Sequence, residues 1–247
     1  AGICFYFNDL LINILGIFLL IWANSYDSAD GQLARMTNQK SALGRILDGA
    51  CGDFWFASIY IAIVCRLWPL WSFWILIVAL ISGLCHGKQA AMADYYRNVH
   101  LLFLKGKKGS ELDNSKELGE KYPLISWRKE PLVKFFEKIY LSYTRGQESW
   151  TPQLQKMLQL IHERYHDLAP EEFRQTFREK SLPLMKYTNM LSFNLRSIVL
   201  FISILINYPW IYFIFELTVM NGMLLYMVRR HETICSQFTK ELENDPN

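Results

Sequence analysis

The sequence lacks three features that would each indicate a particular class of protein: paired cysteines, a stripe of one charge, and repeats. Its five cysteines stand mostly in apolar segments without paired spacing, which argues against a disulfide framework. Its 26 basic and 23 acidic residues are interspersed, so no basic stripe indicates nucleic-acid binding. No internal repeat or low-complexity segment is found.

Long apolar runs are present and decide the class. They cover residues 1–24, 54–82, 190–206 and 208–228. A helix that crosses a bilayer needs about 20 such residues, more than an ordinary core helix offers. The sequence therefore predicts an all-α fold, a polytopic transmembrane helical bundle embedded in the lipid bilayer.

The first residues, Ala-Gly-Ile-Cys-Phe, have no basic region or polar lead-in of the kind that a signal peptide carries. The pattern predicts helices at 4–24, about 48–66, 70–103, 188–206 and 208–229. Turns are predicted at 66–71 and 207–209. The predicted domains are 1–104 and 188–230 in the membrane, a cytosolic insertion at 105–187, and a cytosolic tail at 231–247.

Lysine and arginine set the predicted orientation. They are dense in the 31–47 loop, in the insertion and at 229–230, whereas Arg66 stands almost alone on the other side. The positive-inside rule puts the first set in the cytoplasm. The expected location is a cell membrane, of bacterial type, with the polar loop facing the cytoplasm.

The insertion opens with a charged, loop-like run to about Lys121. Apolar residues at helical spacing then predict amphipathic helices at 131–143, 151–167 and 170–180, which form a small helical subdomain. In the first of these helices the apolar residues are Val133, Phe136, Ile139 and Tyr140. A lid, a dimer contact, a partner site and a plain solvated elaboration all remain open for its function.

The most informative stretch runs from Asp27 to Asp53, between the first two apolar runs. It reads D-S-A-D-G-Q-L-A-R, then eight residues, then G-R-I-L-D-G-A-C-G-D. Ionisable residues beside membrane helices are costly and usually functional. Clustered carboxylates suit hard cations such as Mg²⁺, which bridge to substrate phosphates. The stretch therefore predicts the handling of a phosphorylated substrate at a membrane surface.

These residues resemble the signature of the CDP-alcohol phosphotransferase family, D-x-x-D-G-x-x-A-R, eight residues, G-x-x-x-D-x-x-x-D. Every signature position but the last matches with unaltered spacing, from Asp27 to Asp48. The resemblance implies a six-helix core, of which the first helix would be missing here. It also implies a homodimer and the transfer of a phosphoalcohol from a CDP-linked donor to an acceptor hydroxyl, with release of CMP.

The resemblance also implies a role for each matching residue. Asp27, Asp30 and Asp48 would bind Mg²⁺ or Mn²⁺. The CDP part of the donor would be bound by Asp30, Gly31, Ala34, Arg35 and Gly44. Small residues allow a nucleotide to approach the backbone, and the guanidinium of Arg35 suits phosphate oxygens. The alternatives are helix capping by the carboxylates and tight helix packing at the small residues.

The last signature position departs from the family. The acid that the family uses as general base would fall at 52, where this chain has Gly52, and Asp53 follows it. On a regular helix Asp53 points about 140° away from Asp48, whereas position 52 stacks on it. Asp53 is the candidate catalytic base if a single-turn π-bulge restores its direction. Action through water and a catalytically impaired chain are the alternatives.

Two cations inside otherwise apolar runs, Lys88 and Arg196, are candidates for binding the phosphate of an acceptor. The alternatives to phosphate binding are that these side chains snorkel to the interface or pair with Asp94. The predicted substrates are a CDP-linked lipid, most simply CDP-diacylglycerol, and a small polar alcohol or alcohol phosphate such as inositol phosphate or glycerol phosphate.

Three other functions remain. His162–His166 fits the H-E-x-x-H pattern of zinc proteases, but no third ligand is evident. An intramembrane prenyltransferase also places acidic metal motifs at helix ends, although two such motifs are typical. A membrane scaffold that keeps the fold without the base is the alternative that is not an enzyme.

Overall fold

The computed structural model describes residues 1–37, 42–166 and 169–244, and it leaves out the side chains at 34, 35, 42–50, 53 and 108. The described part is almost entirely helical and contains no strand. The α-helices are α1 Gly2–Tyr6, α2 Leu10–Met36, α3 Ala42–Trp71, α4 Phe73–Lys105, α5 Ser115–Lys121, α6 Pro131–Glu148, α7 Pro152–Tyr165, α8 Glu171–Ser181, α9 Met185–Met190, α10 Phe193–Leu205, α11 Trp210–Phe215 and α12 Asn221–Asn244.

Five helical stretches among the described residues are long and apolar enough to cross a membrane. They are Leu10–Leu33, Phe54–Trp71, Phe73–Lys105, Glu171–Leu205 and Trp210–Asn244. This number of spans indicates an integral membrane protein. The all-α, polytopic fold predicted from the apolar runs is confirmed.

The chain forms two compact units. Unit 1 comprises Ala1–Gly87 and Leu195–Val219, and unit 2 comprises Lys88–Asn194 and the segment from Met220 onward. Unit 1 therefore holds α1–α3, most of α10, α11 and the beginning of α4. Unit 2 holds the rest of α4, the helices α5–α9 and α12. The domain boundaries predicted from the sequence stay predictions.

The first predicted helix, 4–24, is wrong in its bounds. The helix breaks after α1, because Asp9 caps the start of a new one, its side chain accepting a hydrogen bond from the backbone N–H of Ile12 at 3.0 Å. α2 then continues to Met36, through the polar residues that were predicted to end it. The hydroxyls of Ser25 and Ser28 donate to carbonyls one turn earlier, at 2.9 Å each, so they do not compete with the helix for its backbone N–H groups.

Three further boundaries also differ from the sequence prediction. α3 begins at Ala42, ahead of the predicted start at 48, and it continues through Pro69 to Trp71 where a turn was predicted. The break falls at Ser72, whose φ of 46° is left-handed. The loop predicted up to Lys121 contains α5, which is capped by Asn114 and by the carboxylate of Glu148.

The helix predicted at 188–206 is broken into α9 and α10, and the helix predicted at 208–229 continues as α12 to Asn244, through most of the predicted tail. The other predicted elements are found with small shifts. The three amphipathic helices of the insertion are α6, α7 and α8. The predicted turn at 207–209 separates α10 from α11, with Asn207 at a φ of 62°. α11 runs into a π-helical segment, Glu216–Met220, before α12 begins.

Arg66 ties together the connections of unit 1. Its guanidinium donates to the carbonyl of Phe5 at 3.2 Å, to Oδ1 of Asn8 at 3.0 Å and to Oδ1 of Asn207 at 2.7 Å. One side chain therefore binds the α1–α2 connection and the α10–α11 turn. Arg66 therefore has a structural role in unit 1.

Unit 2 has its own apolar core. Its fully buried side chains come from α4, α7, α8 and α12, and they include Met92, Leu154, Phe177 and Phe238. Glu232 of α12 caps α7 by accepting from the backbone N–H groups of Gln153 and Leu154, at 2.7 and 3.2 Å. A carboxylate at that position also complements the positive end of the α7 dipole. The segment 231–244 is therefore a structural part of unit 2.

Candidate active site

The first half of the motif lies on one continuous helix. Asp27 and Asp30 stand on α2 with Gly31, three and four residues apart, and the helix continues for another turn and a half to Met36. At about 100° per residue, Asp27, Asp30, Gly31 and position 34 fall within one arc of about 100°. Both carboxylates are exposed. The structure thus brings these two acids and the glycine together on an open face of α2.

The second half of the motif lies on α3. Gly44, Asp48 and Gly52 are four residues apart, so they share one side of this helix. The side chains of Ala34, Arg35, Gly44, Asp48 and Asp53 lie outside the part of the chain that the structure describes. The meeting of Asp48 with Asp27 and Asp30 therefore stays a prediction.

The backbone around Gly52 bears on the candidate base. Residues 42–71 are α-helical, including 48–53, so the π-bulge expected there is not found in the described backbone. A Cβ added to Gly52 would meet nothing within 4 Å. Among the described atoms nothing crowds a Cβ at position 52, which is the position that stacks one turn after position 48.

The carboxylates of Asp27 and Asp30 are suitable ligands for a divalent cation. Asp27 and Asp30 offer carboxylate oxygens on one exposed helix face, which are the ligands that Mg²⁺ and Mn²⁺ take. No group of three or more His, Cys, Asp or Glu that could hold a metal is found among the side chains that the structure describes. Asp48, the third ligand predicted from the sequence, is not among those side chains.

Lys88 and Arg196, the two candidates for binding an acceptor phosphate, lie in different units. In unit 2, the ammonium of Lys88 donates to the carbonyl of Gly146 at 2.5 Å and lies 4.6 Å from the ring centre of Trp150. A lysine ammonium has three donors, so this contact leaves it able to bind a further acceptor.

Arg196 is the largest fully buried side chain of the described structure, with 1% of its surface exposed. Its guanidinium donates to both carboxylate oxygens of Glu216, at 3.0 and 3.2 Å, and to Nδ1 of His86. The hydroxyl of Tyr212 donates to the same carboxylate at 2.9 Å. Because an arginine only donates, His86 accepts at Nδ1 and is neutral there. The pairing with Asp94, which the sequence left open as an alternative, stays a prediction.

This buried network joins four helical segments of unit 1. His86 comes from α4, Arg196 from α10, Tyr212 from α11 and Glu216 from the first residue of the π-helical segment. Phe56 of α3 lies against it, with its ring centre 4.2 Å from that of His86 and 5.8 Å from Cζ of Arg196. An ion pair with its hydrogen bonds satisfied is the arrangement that makes buried charges tolerable in a membrane.

Glu216 was missed in the sequence analysis, although a signal for it exists. It is an acid inside the apolar run 208–228, one predicted hairpin turn away from the buried cation Arg196. Opposite charges in the two arms of a membrane hairpin predict a pair, because either charge alone in lipid is expensive. His86 and Tyr212 carry no such signal, since an isolated histidine or tyrosine fits many surroundings.

The H-E-x-x-H stretch does not form a zinc site in the described geometry. α7 ends at Tyr165, and His166 follows with a φ of 62°. Nδ1 of His162 contacts the backbone carbonyl of His166 at 2.6 Å, and Glu163 accepts from Gln159 at 2.8 Å. The helix ends before it can present both imidazoles on one face, so the stretch is the polar end of α7.

Comparison with known proteins agrees with the motif. The family model of CDP-alcohol phosphatidyltransferases matches residues 3–98. The resemblance to that family is confirmed over this segment of the chain. The match runs from α1 into α4 and contains every residue of the motif, whereas the insertion and α10–α12 lie beyond it. No curated protein and no solved structure matches the chain.

The family match supports a membrane enzyme that transfers a phosphatidyl group from a CDP-alcohol. It covers less than half of the 247 residues. The donor lipid, the acceptor and the metal are therefore matters for proposal.

Proposed function

We propose that this chain transfers a phosphatidyl group from a CDP-linked lipid, CDP-diacylglycerol, to the hydroxyl of a small polar alcohol, and releases CMP. The observation that carries the proposal is the open face of α2, where Asp27, Asp30 and Gly31 stand together within the segment that matches the family. An exposed acidic face on a membrane helix is costly unless it serves a ligand. The product belongs to phospholipid biosynthesis.

Each residue of the motif has a role in this reaction. Asp27, Asp30 and Asp48 would hold Mg²⁺ or Mn²⁺, which would neutralise the diphosphate of the donor when bound. Gly31, Ala34 and Gly44 leave room for the nucleotide to approach the backbone. Arg35 would hold a phosphate oxygen through its donor fork. These residues orient the phosphorus that bears the lipid for in-line attack.

In the chemical step Asp53 would take the proton from the acceptor hydroxyl. The acceptor oxygen then forms a bond to the β-phosphorus, and the bond from that phosphorus to the oxygen of CMP breaks. CMP leaves with the electron pair of the broken bond. The proton held by Asp53 returns to solvent after the product leaves.

The acceptor is proposed to carry a phosphate, as in inositol phosphate or glycerol phosphate. Lys88 supports this proposal, because its ammonium has donors beyond its contact with Gly146. Arg196 supports it less, since its guanidinium donates to Glu216 inside unit 1. The placement of basic residues in the sequence supports a site that faces the cytoplasm, and the family resemblance supports a homodimer.

The test is CMP release by the purified full-length protein, supplied with CDP-diacylglycerol and with Mg²⁺ or Mn²⁺. Serine, glycerol phosphate, inositol, inositol phosphate and a ceramide would be added one at a time. We expect release with a single acceptor, lost on chelation and in Asp48→Asn. Release that persists in Asp48→Asn would contradict the proposed metal ligands. Release without any acceptor would indicate hydrolysis in place of transfer.

The α-helical backbone over 48–53 favours a second candidate, a chain of the same fold with impaired catalysis, because on a regular helix position 53 lies about 140° around the axis from position 48. Gly52→Asp tests it directly, since a Cβ added at 52 meets no described atom within 4 Å. If Asp53 is the base, Asp53→Asn loses CMP release and Gly52→Asp changes it little. If the chain is impaired, Gly52→Asp raises CMP release from the background and Asp53→Asn has no effect.

A further inference from the structure

The helix α6 has one side packed into unit 2 and another side that is exposed and apolar. One side is buried in unit 2 and includes Leu141. The other side exposes Leu132, Phe135, Ile139 and Tyr143, with Leu132 at 70%. These four residues are three, four and four positions apart, so they form one row along the helix. This row is called the α6 ridge below.

The turn before α6 adds two more exposed apolar side chains. Leu124 is 83% exposed, and the ring of Trp127 is half exposed. Lys134 holds this turn against α6, since its ammonium donates to the carbonyl of Ile125 at 2.6 Å and lies 5.7 Å from the Trp127 ring centre. The turn is thus fixed in place with Leu124 and Trp127 facing outward.

Cations accompany the ridge. Arg128 and Lys129 follow Trp127 and are exposed, and Lys138 is exposed on α6 about 60° from Phe135. An apolar row with basic residues along its border and a tryptophan at its end is the pattern of a helix that lies in the membrane interface. Tryptophan suits the headgroup level because its ring is apolar and its indole N–H donates.

We propose that the α6 ridge and the turn before it, Tyr122–Trp127, lie in the headgroup region of the membrane, with Arg128, Lys129 and Lys138 against anionic lipid headgroups. The same chain supplies five stretches that can cross a membrane, and parts of three of them belong to unit 2 together with α6. The row is one residue wide, whereas a stable protein interface buries about 800 Å² on each partner. The lipid surface is therefore the better fit to this row.

The experiment places the photo-reactive residue p-benzoylphenylalanine at position 135 or 139 of the full-length protein. The protein is reconstituted in vesicles of phosphatidylcholine and phosphatidylglycerol and illuminated. Matched control positions are 159 and 163, because Gln159 and Glu163 are exposed on α7 of the same unit but have no apolar row around them. The products are analysed by intact mass.

We expect lipid adducts at 135 and 139, at least several times more abundant than at 159 and 163. Equal yields at the four positions would overturn the proposal, because the ridge would then be no nearer to lipid than the rest of unit 2. A product of twice the chain mass would also overturn it and would show that a second copy covers the ridge.

Discussion

Two groups of charged side chains stand in the apolar part of this chain, and the structure treats them in opposite ways. Asp27 and Asp30 are exposed on α2, the least buried of the five candidate spans. Arg196 and Glu216 are fully buried and hydrogen-bonded to each other. The comparison teaches that a charge in a membrane helix indicates a ligand only where the protein does not already supply its partner.

The largest effect is expected at the exposed group. Asp30→Asn should lower CMP release by about 100-fold or more, because it removes a negative ligand for the cation that the reaction needs. The unfolding temperature should stay within a degree or two, since the side chain is exposed. CMP release and thermal unfolding of the same preparation check both results. A large drop in unfolding temperature would mean that Asp30 is structural.

At the buried pair, Arg196 and Glu216, we expect the larger effect on stability. Arg196→Met should lower the free energy of unfolding by about 3–5 kcal/mol, because it leaves the carboxylate of Glu216 buried without its cation. The double variant Arg196→Met with Glu216→Leu should recover much of that loss. Denaturant unfolding of the two single variants and the double variant measures the coupling.

The same variants test the acceptor role of Arg196. If Arg196 also binds the acceptor phosphate, the double variant recovers its stability but shows a higher KM for the acceptor. If the guanidinium serves only the network, KM in the double variant equals that of the unmodified chain. A double variant that stays as unstable as Arg196→Met would contradict the pairing itself.

Lys88 is intermediate in character between these two groups, because its ammonium has a protein partner and also has donors left for a ligand. Lys88→Met should cost about 1 kcal/mol of stability through the lost bond to Gly146. Binding of the acceptor phosphate predicts, in addition, a KM for the acceptor that rises several-fold with kcat little changed. Lys88→Arg is the control, since it keeps the charge. A KM unchanged in Lys88→Met would leave Lys88 with its structural bond only.

The smallest effect on catalysis is expected at Arg66, away from the motif. Arg66→Met removes the bonds to Phe5, Asn8 and Asn207, and it should lower the unfolding free energy by about 1–3 kcal/mol. KM for donor and acceptor should not change. Kinetics and denaturant unfolding together check this. A selective change in KM would show that the connections of unit 1 reach the site.

The sequence by itself determined the membrane class, most of the helices and the signature from Asp27 to Asp48, because apolar length and residue spacing are local properties. It did not determine where α2 ends, since polar residues that favour caps and turns stay helical there, with the hydroxyls of Ser25 and Ser28 bonded within their own helix. The turn expected at 66–71 was also wrong, since α3 continues through Pro69 and breaks only at Ser72.

The tertiary structure decided which partner each polar or apolar side chain meets. Periodicity grouped Ile139 with Val133, Phe136 and Tyr140 on one apolar face, yet in the structure Ile139 is exposed on the ridge and the other three are partly buried. It also decided that Arg196 meets Glu216 and His86. Such contacts join residues far apart in the chain, and their energy depends on burial and geometry, which spacing along one helix does not contain.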